Sequence, residues 1–157
     1  MSDIPDLLER FRRGAELLSV ATTGVGNAEL DFVPGAGRWS IRQIAAHLAD
    51  AECVGAMRLR QVIAENDPLI VAYDEKAWSD RLNYSKRKIS AILESFRRVR
   101  ADNYELLKDL PEEAYARSGR HSERGPMTLR DIVRIYAEHA ENHVKQIMDV
   151  RQAFKSK

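Results

Sequence analysis

Cysteine occurs once in these 157 residues, at Cys53, so no internal disulfide can staple the chain and its stability has to come from packing. Charge of one sign is missing too. Against 25 Lys and Arg stand 24 Asp and Glu, and no global field steers the chain toward nucleic acid or anionic lipid. No apolar run reaches the length of a transmembrane span. The first ten residues, Met1 to Arg10, carry charges where a secretory leader would be apolar, so a cytoplasmic location without a membrane partner is the expectation. Repeats, low-complexity tracts and interdomain linkers are also lacking. What remains, 44% hydrophobic and 31% charged, is the composition of a soluble domain, expected to be a single one over residues 1–157 with a sizeable core.

Four long helical segments fill most of that length. The first runs from about Ile4 to Val20 with Leu7, Leu8, Phe11, Ala15 and Leu18 on one face, and Thr22 to Gly26 ends it. The second opens at Ser40, with Gln43 completing a capping box and Trp39 placed to staple onto Ile44; it persists to about Glu65, before Asp67-Pro68. Residues 67–83 have room for one short helix, about Glu75 to Asp80. A connection of that length lets the chain cross the bundle, so that the second and third helices can run parallel. The third helix is expected from near Ser85 to Leu110, with Pro111 closing it. Ala116 to Pro126 reads as a polar surface loop. The fourth helix begins at Thr128, capped with Asp131 and stapled by Met127 onto Ile132.

Two histidines four residues apart, His139 and His143, lie at the edge of the fourth helix's buried stripe. With His139 as zero on the helical wheel, His143 falls at about 40° and Gln146 at about −20°, beside apolar residues spanning roughly 20° to 140°. His47 holds the matching edge of the second helix. Three neutral imidazoles suit zinc, nickel, iron or copper and leave a coordination position for water or substrate. The bland alternative is three hydrogen-bonded core histidines. His139-Ala-Glu-Asn-His143 is not the zincin motif, because Ala140 stands where the catalytic glutamate belongs.

Other residues carry open alternatives. Arg100 interrupts the apolar face of the third helix and Glu52 that of the second; either they meet as a bidentate pair or they snorkel to opposite edges of the bundle. Arg58, about 20° from His47 on the wheel, either lines the same cavity to hold an anionic substrate group or reaches solvent. His121 is by default a solvated loop residue, unless its loop folds over the end of the bundle toward the site. Cys53, about −120° from His47, points away from the site. Tyr136 and Gln146 lie on the face suited to donating hydrogen bonds there, and neither is assigned a catalytic role.

Trp39-Ser40, Ile44, His47-Leu48 and Asp50-Ala51-Glu52, followed by Thr128-Leu129, Asp131-Ile132, His139, His143 and Gln146-Ile147, together resemble the DinB/YfiT-like superfamily, over nearly the whole chain. The resemblance implies an all-α four-helix bundle, up-down-down-up, with a long crossover between helices two and three. It also implies a divalent-metal site, commonly nickel or zinc, whose three ligand positions are matched by His47, His139 and His143, and frequent homodimerisation. Relatives in the wider superfamily include transferases and isomerases that use mycothiol, bacillithiol or glutathione; many others carry only a hydrolase name.

The leading expectation is therefore a small metal-dependent enzyme acting on a small molecule. In a transferase the ion holds a low-molecular-weight thiol as thiolate; in a hydrolase it supplies hydroxide. No residue stands out as general base, which tilts toward the thiol. A non-catalytic metal-binding or stress-response protein is the alternative. Nucleic-acid binding rests only on Lys86, Arg87, Arg97 and Arg98, which read better as a solvated face.

Overall fold

A computed structural model describes residues 2–157. Its long helices are α1 (Ile4–Thr22), α3 (Ile41–Ala64), α5 (Ile89–Lys108) and α6 (Leu129–Lys155), with the short helices α2 (Asn27–Leu30) and α4 (Glu75–Arg81) in the connections. Both capping boxes form as the sequence dictates. Ser40 Oγ accepts from the Gln43 N–H at 3.2 Å while Gln43 Oε1 accepts from the Ser40 N–H at 2.9 Å, and Thr128 and Asp131 exchange the equivalent pair at 3.0 and 2.9 Å. The third helix begins at Ile89 rather than near Ser85. Tyr84 is fully buried, and Tyr84–Lys86 closes as a 3-10 turn that seats it before the chain extends again at Arg87.

Helix directions follow from the cross-contacts. Arg130 pairs with Asp3 and Arg151 donates to Ala21 O, so α1 and α6 run parallel; Arg87 meets Asp50 and Arg60 meets Asn103, so α3 and α5 do too. His47 and His139 face each other across antiparallel α3 and α6. The result is up-down-down-up, each long helix packing against two others, with the buried apolar residues gathered in two clusters and the crossover between α3 and α5 as expected.

At the centre Arg100 and Glu52, each about 1% exposed, form the bidentate pair, Nε to Oε1 at 2.9 Å and Nη2 to Oε2 at 2.7 Å. The same guanidinium donates to Phe11 O at 2.7 Å and to Tyr136 O at 3.1 Å, and lies 4.1 Å over the Phe11 ring. Asn103 Nδ2 fills the remaining side of Oε1 at 3.0 Å. One side chain of α5 thus binds α1, α3 and α6. Gly14 makes this possible: a Cβ built there would stand 2.6 Å from Arg100 Nη1.

The polar segment after α5 is not a loop. Ser118–His121 (β2) and Gly125–Thr128 (β3) form an antiparallel hairpin, and β2 pairs in parallel with Leu69–Ile70 (β1), Ile70 opposite His121. Arg117, just before β2, donates to Val62 O and Glu65 O, satisfying carbonyls at the end of α3. These contacts hold the hairpin over that end of the bundle.

Gly14→Ala should destabilise by about 1–3 kcal/mol in urea unfolding, although alanine is the better helix former by about 1 kcal/mol, because the methyl displaces Arg100. Arg100→Met alone should cost about 3–5 kcal/mol by stranding Glu52, and Arg100→Met with Glu52→Leu should recover much of that loss.

Candidate metal centre

His47 is held by the middle of α3 and is about 1% exposed, whereas His139 and His143, on successive turns of α6, are partly buried. One nitrogen from each ring lies within 4.8 Å of the others. Nε2 of His47 and Nε2 of His139 approach to 2.9 Å, so a single proton, or a cation, must sit between two lone pairs. His143 Nδ1 donates to Gln146 Oε1 at 2.8 Å, which leaves Nε2 as the basic nitrogen. Gln146 thus orients the ring by accepting, rather than by donating as the wheel had suggested. The Trp39 ring, 5.2 Å from that of His47, covers the site on one side; its role goes beyond stapling α3.

Burial keeps the pair neutral. It pushes His47 down to about 4, helped by the nearby His143, and His139 down to about 3, helped by His143 and His47. Neutral imidazole is the metal-binding form, and Nδ1 of His47 has no protein partner. Three imidazole donors with no carboxylate among them are a set suited to a borderline divalent ion.

Beside His139 opens a cavity of about 150 Å³ lined by Arg58, Tyr73, His121, Ile132 and Tyr136. Tyr136 reaches it because Gly55 of α3 has no side chain; a Cβ there would stand 2.6 Å from the Tyr136 ring. Arg58 does line the cavity, donating to Tyr136 OH at 3.2 Å and to Val71 O at 2.9 Å. His121 is not a solvated loop residue. Strand pairing buries it to 8% exposure at the cavity wall, where its Nδ1 accepts the backbone N–H groups of Glu123 and Arg124 at 3.1 and 3.2 Å. Cys53 is exposed, away from the site. Of the basic residues of α5 and its approach, Arg87 is paired with Asp50 and Arg97 with Glu94.

An up-down-down-up bundle carrying three converging imidazoles beside a cavity defines a class of protein, and the comparisons name it. A family model described as the DinB superfamily matches residues 10–147; the chain belongs to that superfamily. It is similar to a protein of Oceanobacillus iheyensis provisionally named a metal-dependent hydrolase, 31% identical over 131 residues that cover 83% of this chain and 76% of the relative. It is similar as well to YfiT of Bacillus subtilis, which bears the same provisional name, at 27% identity over 134 residues covering 85% and 75%. The solved YfiT structure, described as a four-helix bundle of unusual topology, superposes with a TM-score of 0.91 at 23% identity, covering 99% of this chain and 90% of that one.

Depressed histidines give the metal-free protein a pH signature. Below pH 6.5 the unfolded chain takes up protons that native His47 and His139 refuse until about 4 and 3, so stability is full above 6.5 and falls as pH drops through that window. His121, lowered by burial and by Arg58, adds in the same direction. Urea unfolding of chelator-treated protein should lose up to about 1.4 kcal/mol per pH unit for each buried histidine between pH 6.5 and 5, and His139→Asn should flatten that slope.

Proposed function

We propose that His47, His139 and His143 hold a divalent metal ion and that the protein is a metal-dependent hydrolase of a small molecule. The observation that carries this reading is the convergence of three imidazoles from two helices beside an open cavity. When bound, such an ion supplies a Lewis acid and lowers the pKa of a coordinated water toward ~7. The chain's own residues set the conditions. Burial keeps His47 and His139 unprotonated and the Gln146 hydrogen bond orients the His143 ring, and Tyr136 stands protonated at the cavity wall, its pKa raised by burial. The provisional names of the relatives from Oceanobacillus iheyensis and Bacillus subtilis support hydrolysis.

Thiol transfer is the second reading. It is favoured by the absence of any buried carboxylate among the residues lining the cavity, Glu75 and Glu123 both being exposed, because a metal-held thiolate needs no general base.

Zinc or nickel titrated into tag-free, chelator-treated protein should bind with one-to-one stoichiometry and stabilise it by about 2.7 kcal/mol at a hundredfold excess over Kd. His143→Ala should weaken that binding by about a hundredfold or more. Ester and amide panels, run with and without added low-molecular-weight thiols, should show turnover that chelation abolishes and metal restores. Tight binding with no turnover in any panel gives the site to the non-catalytic alternative, and turnover that survives His143→Ala overturns the metal mechanism.

A further inference from the structure

Arg58 is the charged group that the proposed metal chemistry leaves unused. It is half-buried at the cavity wall, and among the described residues no carboxylate lies within ion-pair distance of it. Two of its five N–H groups are spent, one on Tyr136 OH and one on Val71 O, both neutral acceptors. Arg100, Arg42 and Arg151, with side-chain exposures of 2%, 12% and 17%, are each matched to a carboxylate. An arginine fixed by two hydrogen bonds and left without a counter-charge is a positioned donor with capacity to spare.

A second group points the same way by independent geometry. Because His121 Nδ1 accepts two backbone N–H groups, the ring's proton must reside on Nε2, at its far edge. Among the described residues no acceptor is bonded to that N–H. The strand register that places His121 opposite Ile70 holds the residue at the same cavity as Arg58. Tyr136 OH, already accepting from Arg58, has its own proton to donate. The acidic residues at this cavity, Glu75 and Glu123, are exposed at its rim, with the equally exposed Arg124. Inside, donors outnumber acceptors, and Ile70 and Ile132 supply apolar surface beside them.

We propose that this cavity is an oxyanion-binding subsite, in which Arg58 and the Nε2–H of His121 hold a carboxylate or phosphate group of the substrate next to the metal centre. The volume, about 150 Å³, is that of a cavity able to enclose a benzene ring, which suits a compact group beside the anion. As a substrate class this rests on the reading of the three imidazoles as a metal centre. The anion site itself is testable without an ion.

Benzoate and inorganic phosphate are titrated calorimetrically into the chelator-treated chain, with benzamide as the uncharged isostere of benzoate, and again after loading with zinc. At least one anion should bind saturably to the metal-free protein, and benzoate should bind about tenfold more tightly than benzamide. Arg58→Gln should weaken the anion by about tenfold or more, Arg58→Lys by less. His121→Asn, whose Oδ1 can still accept from the Glu123 and Arg124 N–H groups, should weaken it through loss of the Nε2 donor alone. Thermal unfolding checks that each variant is folded. Benzamide binding as tightly as benzoate, unchanged anion affinity in Arg58→Gln, or no saturable binding of either anion overturns the proposal. If His143→Ala loses zinc yet binds the anion as before, the subsite stands whatever becomes of the metal chemistry; if Arg58→Gln keeps zinc and loses the anion, the two sites are shown to be separate.

Discussion

The guanidinium of Arg100 is the point on which the bundle depends. Buried charge is costly unless every donor finds an acceptor, and this one finds them on three other helices: the Glu52 carboxylate of α3, the Phe11 carbonyl of α1 and the Tyr136 carbonyl of α6. Greasy faces tolerate sliding, because one leucine replaces another at similar energy. A bidentate ion pair with two further carbonyl acceptors does not. Shifting α6 by one turn would take Tyr136 O out of reach and carry His139 away from His47. The pin therefore does for register what apolar packing alone does poorly, and the imidazole cluster lies within about two turns of it on both α3 and α6.

The site divides between two kinds of scaffold. The imidazoles come from the middle of long helices, where neighbouring turns and the Arg100 network fix them. The cavity wall comes partly from those helices and partly from the small sheet, which is tied down by β1 pairing and by Arg117 on the last carbonyls of α3. The geometry of the imidazole cluster is thereby set largely apart from that of the hairpin wall, His139 being the residue they share. Residues of the hairpin can change without touching the imidazole nitrogens, so the wall of the cavity can vary while the cluster stays fixed.

How much of this was legible in the sequence depends on which force fixed each part. The four long helices, both capping boxes and the shared edge position of His47, His139 and His143 follow from the 3.6-residue period and short-range hydrogen bonding, and the structure carries them, with the third helix starting later, at Ile89. The Glu52–Arg100 pair was legible as two charges on apolar faces, though not as a certainty, since snorkelling fits the same pattern. The sheet was not legible. Ser-Gly-Arg-His and Gly-Pro-Met-Thr lack apolar alternation, and β2 is stabilised by a two-residue strand some fifty positions earlier, a partner no local window contains. That is also why His121 read as solvated. Two signals were available and informative: Gly14 and Gly55, glycines inside helices, mark where Arg100 and Tyr136 press against backbone.

Charge accounting links the centre to its cavity. The buried carboxylates, Glu52 and Glu29, are committed to Arg100 and Arg151, and Asp50, one turn beyond His47, is held by Arg87. A divalent ion on three neutral imidazoles would keep its full charge, and Arg58 adds another a short distance away. In a partly desolvated pocket such an excess cannot persist unbalanced. Since the protein has already allotted its inner acids to arginines, the balancing negative charge has to arrive with hydroxide or with the substrate. On the proposed reading, the site would favour anions by what it withholds as much as by what it presents.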